Sequence, residues 1–315
     1  MKNSQRSVYL ILGILLSAMP VVSHAEVFAH LTGEGGKVEY DITKNPGNGW
    51  YTETDSSARF KLGFKQGARS SATPNLVATV RSTSTEHFKG ESAIELKIIA
   101  NNEVKSLKAA YKVDLSIVKP DDRFSPSAIT PKDWYHSFAL KIDATDYRLP
   151  DEPGQELIFE QWWQGSPFAP PVSLVIFNEG DARARGWSDA NPDGNFAIVL
   201  RDDEHGALST VKGEPRIYNL GPVKTGEWMQ WVVHVRPDPT GKDGAVTVLW
   251  DGVEKLKLEN ILVGYNPANY AVKPRPAKMF AYVGCCLYRL NGQSSQCFFF
   301  DEIKFSDRLE DALSP

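Results

Sequence analysis

The feature that most constrains the fold of this chain is the near absence of a helical apolar period. In its place stand short apolar or alternating runs bounded by Gly, Pro, Asn and Asp. They include "NLVATVR" (75–81), "SAIELKIIA" (92–100), "WYHSFALKI" (134–142), "QELIFEQWW" (155–163), "PVSLVIF" (171–177), "FAIVL" (196–200), "MQWVVHVR" (229–236), "AVTVLWDG" (245–252), "KMFAYVGCCLYRL" (278–290) and "CFFFDEIKF" (297–305). A period of two belongs to strands with one buried face. Turn chemistry separates the runs, as in "PTGKDG" (239–244) and "LNGQSSQ" (290–296). So many short strands predict an all-β fold, a two-sheet antiparallel jelly roll of the concanavalin-like sandwich type. No composition shift, repeat or low-complexity linker divides the chain. Residues 26–315 are therefore expected to form a single domain.

The first 25 residues stand apart. Lys2 and Arg6 precede the apolar run "VYLILGILLSAMPVV", and Ser23-His24-Ala25 offers small residues for cleavage before Glu26. This pattern predicts a signal peptide, a secreted or periplasmic mature protein, and no membrane association after cleavage. Losing Lys2 and Arg6 takes the formal net charge from −4 to about −6, which argues against general nucleic-acid binding. A monomer is expected. Export permits disulfides. If the strand is extended, Cys285 and Cys286 point to opposite sides, so one bridge to Cys297 and one free thiol are expected.

The stretch "IFEQWWQGS" (158–166) raises the functional question. Strict alternation puts Phe159, Gln161 and Trp163 on one face, and Glu160, Trp162 and Gln164 on the other. An amide beside an indole suits a substrate groove, with Trp163 as a sugar platform and Trp162 in the core.

"HFKGESAIELKI", "DWYHSFALKI" followed by "LIFEQWWQGS", the hairpin "GEWMQWVVHVRPDPTGKDGAVTVLWDGVEKL" and "MFAYVGCCLYRLNGQSSQCFFFDEIKF" come in the order found in the heparin lyase I-like polysaccharide lyases. The chain resembles this family and the related jelly-roll alginate and glucuronan lyases over roughly residues 75–306. The resemblance implies β-elimination on a uronic-acid polymer, with a groove on a concave sheet. The family's Gln-x-His motif matches Gln161, Trp162 and Trp163, with tryptophan at the histidine position. Its Lys-x-Gly-x-Tyr-Arg pattern matches at Tyr288 and Arg289, while Gly284 takes the lysine position. The nearest counterpart of an Arg-x-Glu-type strand is "LKAAYKV", with Lys108 and Lys112 on one face. The resemblance thus implies catalysis by Gln161 and Tyr288. Gln161 would neutralise the uronate carboxylate and Tyr288 would move the protons. Trp163, Lys108 and Lys112 would bind substrate.

His136, behind Trp134 and Tyr135, is a candidate surrogate base facing substrate. Arg183, Arg185 and Arg201 are candidate carboxylate partners, because a guanidinium binds carboxylates in bidentate fashion. Asp301 in "FFFDEIKFSD" is a candidate ligand of a structural calcium, an ion that prefers oxygen donors. No cofactor is required for the chemistry. P-loop, Rossmann, HExxH and Gly-x-Ser-x-Gly patterns are missing, as is the Glu-x-Asp-x-Glu spacing of jelly-roll hydrolases. The expected function is a polysaccharide lyase acting on an acidic polysaccharide. The alternative is a non-catalytic carbohydrate-binding jelly roll.

Overall fold

A computed structural model describes residues 27–32, 39–41, 50–54, 61–66, 77–99, 110–118, 130–149, 154, 156–165, 168–206, 213–270, 279–288 and 295–314. The expected leader and its expected cleavage site before Glu26 lie outside these residues. The strands are β1 (Val27–Leu31), β2 (Glu39–Asp41), β3 (Trp50–Thr54), β4 (Lys61–Gln66), β5 (Val77–Thr83), β6 (Ala93–Ile99), β7 (Ala110–Val118), β8 (Trp134–Ile142) and β9 (Leu157–Trp163). They continue as β10 (Val172–Phe177), β11 (Asn195–Leu200), β12 (Arg216–Pro222), β13 (Trp228–Arg236), β14 (Ala245–Trp250), β15 (Val253–Glu259), β16 (Phe280–Tyr288) and β17 (Ser295–Ser306). Among the described residues there are also two short α-helices, α1 (Glu179–Ala184) and α2 (Leu309–Leu313), and a 3-10 turn at Pro267–Asn269.

Among the described residues the strands form two antiparallel sheets. Sheet A runs β15-β14-β13-β8-β17-β6-β5-β2, with β1 also paired to β17, and sheet B runs β12-β11-β10-β9-β16-β7-β4-β3. This is the expected two-sheet jelly roll. Between the sheets lies an aromatic core: Trp231 stacks on Trp250 at 5.0 Å, and Phe196 meets both edge-on at 5.1 and 5.2 Å. Fully burying each such side chain contributes roughly 1.5–3 kcal/mol. No described helix is long and apolar enough to cross a membrane.

Strict alternation fails at one place in β9. Register against β10 shifts between Leu174, opposite Glu160, and Val175, opposite Ile158, so Phe159 is the extra residue of a β-bulge. Phe159 and Glu160 consequently both face the core. Phe159 packs edge-on against Phe138 and Trp231, and Glu160 meets His136 of β8. Beyond the bulge the pattern resumes with Trp162 inside. Gln161 and Trp163 thus share the outer face, as expected, but with Ile158 instead of Phe159.

Strands β10 and β11 are buried on both faces. That explains their continuous apolar runs, in contrast to the alternating burial of β13. The second face forms a small cluster on the outside of sheet B: Ile158, Val175, Phe177, Ala197 and Val199, with Trp187 and Ile217 against it. The α1 segment caps part of it. Asn178 accepts from the Asp181 amide to start the helix, Trp187 packs edge-on against Phe177, and the Arg185 guanidinium sits 4.6 Å over the Phe177 ring.

The expected bridge to Cys297 does not form: Cys297 is a buried free thiol. It alternates with the core residues Phe298 and Phe300, so it points away from sheet B, whereas Cys285 and Cys286 belong to β16 of that sheet. Burial pushes the Cys297 thiol far above its ordinary value.

Candidate active site

The outer face of sheet B holds a row of cross-strand neighbours. Gln161 lies directly opposite Ser173 of β10 and Tyr282 of β16, and Tyr282 lies opposite Ser116 of β7. Gln161 and Ser173 are 3% and 0% exposed, yet Gln161 Oε1 and Ser173 Oγ have no hydrogen-bond partner. Buried polar atoms are almost always paired, so two neighbouring orphans mark a place that bound substrate or solvent would complete. Trp163 is half-buried one row further along, and its indole donates to the Phe168 carbonyl at 2.7 Å.

An ion pair also spans this outside face. Arg201 follows β11 at the level of Pro171, to whose carbonyl its amide donates, and Glu156 precedes β9 at the level of Phe177. Arg201 Nη2 nevertheless donates to both Glu156 oxygens, at 3.1 and 2.9 Å. The two side chains therefore lean towards each other across β10. Arg201 Nη1 is buried and unpartnered.

Tyr265 stands at the same end of the face. Gln164 fixes its backbone from both sides, donating from Nε2 to the Tyr265 carbonyl (2.8 Å) and accepting from its amide (2.9 Å). Phe168 stacks on the ring at 4.8 Å. The following segment is anchored by Asp203, which accepts from the Asn266 amide and the Tyr270 hydroxyl. The phenol is fully buried, and its hydroxyl has no partner. Burial drives its ionisation far above the ordinary tyrosine range, while the Arg201 charge pulls the other way. A neutral, donor-capable phenol results.

The other expected residues distribute as follows. Tyr288 closes β16 opposite Ala110. It follows Leu287, which pairs with Leu157, so position 288 neighbours Glu156 along the β9 register. Its side chain, that of Lys112 on β7, and all of Lys108 lie outside the described residues. His136 is not a groove residue. It shares the core side of β8 with Trp134 and Phe138, and it is 1% exposed between the sheets, with Nδ1 3.1 Å from Glu160 Oε1. Arg183 pairs with Glu179 one helical turn away on the surface of α1, and Arg185 covers Phe177; neither reaches Gln161. Asp301 is a loop anchor: Oδ2 accepts from the Phe88 and Lys89 amides at 3.1 and 3.0 Å, and Oδ1 from Glu302 at 2.8 Å. A cation there would face the positive ends of three peptide dipoles. No cluster of three potential metal-ligating side chains occurs among the described residues. Asp301→Ala is expected to lower stability by about 2–3 kcal/mol in urea unfolding, while EDTA or added calcium leaves the wild-type midpoint unchanged.

The polysaccharide lyase family model matches residues 66–304, most of the chain, from β5 into β17. The chain belongs to the polysaccharide lyase family. Among solved structures, this lyase is similar to an endo-β-1,4-glucuronan lyase from the fungus Trichoderma reesei, at 13% identity and a TM-score of 0.52, covering 88% of this chain and 98% of that one. It is also similar to an alginate lyase from a Chlorella virus, at 10% identity and a TM-score of 0.43, covering 89% and 99%. Among curated proteins none matches the sequence. The family is one of enzymes, and the two sheets are those of a jelly roll.

Sequence reasoning missed Glu156, Ser173 and Tyr265. Tyr265 lies in "VGYNPANY" with no strand periodicity around it, and only its pairing with Gln164, a hundred residues earlier in the chain, reveals its place.

Proposed function

We propose that this lyase cleaves a uronic-acid polysaccharide by β-elimination on the outer face of sheet B. The observation that carries this reading is the buried Oε1 of Gln161, without a partner on the same sheet face that carries the half-used guanidinium of Arg201. A uronate C5–H becomes acidic only when its carboxylate charge is neutralised, and an amide and a guanidinium are suited to that task. A base takes the C5 proton, its electron pair forms the C4=C5 bond, and the C4–O bond breaks as an acid protonates the departing oxygen. Tyr288, neighbouring Glu156 in register, is assigned both proton transfers, and Trp163 stacks on the chain. The endo-β-1,4-glucuronan lyase that shares the fold acts, by its name, on a polymer of this class, and the leader-like residues 1–25 favour action outside the cytoplasm.

The test is incubation of the purified protein with glucuronan, alginate and heparin. The expected result is growing absorbance of the conjugated unsaturated product, in step with new reducing ends. Reducing ends without that absorbance would indicate hydrolysis and end the proposal, as would silence on all three polymers.

A further inference from the structure

Four buried polar atoms without partners lie on or against one face: Gln161 Oε1, Ser173 Oγ, Arg201 Nη1 and Tyr265 Oη. Three of the four groups offer N–H or O–H donors outright, and the amide of Gln161 does so after a half-turn. Such a convergence lacks an anion with several acceptor oxygens. Among the described residues, the carboxylate that touches it is Glu156, which accepts from one guanidinium nitrogen only and is itself a quarter exposed. The two carboxylate oxygens share Nη2 and leave Nη1 idle, so the two-pronged donor geometry of arginine is only half used. Glu156 thus occupies the place of a ligand without satisfying the site. Tyr265, by contrast, is held through Gln164 and Phe168, and the backbone bridge between Asp202 and Gly264 sets its segment beside that of Arg201.

We propose that Arg201 and Tyr265 are a specificity-determining pair that binds one carboxylate of the polymer by exchanging it for the carboxylate of Glu156. The inference rests on the uronate reading above and extends it to residues outside the Gln161 and Tyr288 motifs. In the resting state Glu156 neutralises Arg201. An incoming uronate carboxylate takes both guanidinium nitrogens and the Tyr265 hydroxyl, and Glu156 swings towards solvent. Neutral sugars gain nothing from the exchange, so the pair reads the acid group itself.

The experiment uses methyl glycosides of glucuronate, mannuronate and guluronate, each beside its counterpart with a hydroxymethyl group in place of the carboxylate. Binding is followed by protein-observed NMR titration. These monosaccharides carry no sugar at C4, so binding is read independently of elimination. For at least one stereochemistry the wild type should favour the uronoside tenfold or more. Tyr265→Phe should cut that preference to threefold or less while leaving the hydroxymethyl sugar unaffected, and Glu156→Gln should tighten uronoside binding several-fold. Equal binding of acid and neutral sugars by the wild type overturns the inference, as does full preference in Tyr265→Phe. Weaker uronoside binding in Glu156→Gln overturns the exchange. Carboxylate preference without unsaturated product from any polymer would sink the lyase reading of the substrate and spare this one. Elimination with an unchanged Tyr265→Phe preference would do the reverse.

Discussion

Gln161→Leu should lower kcat/KM on the cleaved uronate polymer by about 10²–10³-fold, the loss typical of removing one donor to a developing oxyanion. The thermal midpoint should stay level or rise. The two expectations come from one observation. Gln161 is almost wholly buried, and Oε1 has no partner, so the amide carries a desolvation penalty of about 1–3 kcal/mol that leucine of similar shape avoids. A residue kept for packing loses stability when replaced, whereas one kept for substrate loses rate and gains stability. Tyr288→Phe should likewise abolish product formation with folding intact. Unchanged turnover in Gln161→Leu, or its unfolding, would remove the amide from the mechanism.

The two-sheet fold was legible because strand periodicity is a local signal, and so was the sharing of one face by Gln161 and Trp163, since both follow the irregularity in β9. The bulge at Phe159 was hidden. Nothing in "LIFEQWW" distinguishes a strict strand from one carrying an extra residue, and only the register against β10 reveals it. That single insertion turns Phe159 into the core and leaves Glu160 there as well, which also accounts for His136. Its alternation with Trp134 and Phe138 placed it on the core side of β8, where Glu160 meets it. The Arg201–Glu156 pair was out of reach for another reason: it joins opposite ends of β9 and β11, a relation that neither strand's own pattern carries. Likewise, Asp301 reads as an oxygen ligand in sequence, but three backbone amides already occupy it.

The His136–Glu160 pair should give the lyase a stability optimum in mildly acid solution. Burial lowers His136 to about 3 and holds Glu160 well above its ordinary value. The aromatic rings of Phe138, Trp162 and Phe305 surround the imidazole. Folded, the pair therefore keeps one proton over a wide range. Unfolded, it holds two protons below 4.5, one between 4.5 and 6.5, and none above 6.5. Where the unfolded chain binds more protons, stability rises with pH; where it binds fewer, stability falls. The pair's contribution is thus highest between those two values. It drops by about 1.4 kcal/mol per pH unit on either side, down to the folded histidine value on the acid limb and up to the folded glutamate value on the alkaline limb. Glu160→Gln removes the alkaline limb: its folded pair holds no proton above about 3, so its contribution climbs to 6.5 and then stays level. Urea unfolding across a pH series should show the variant gaining on the wild type by about 1.4 kcal/mol for each unit above 4.5. A difference that stays flat from acid to alkaline solution would mean that the folded wild-type pair holds no proton above 4.5, with Glu160 ionised beside a neutral imidazole.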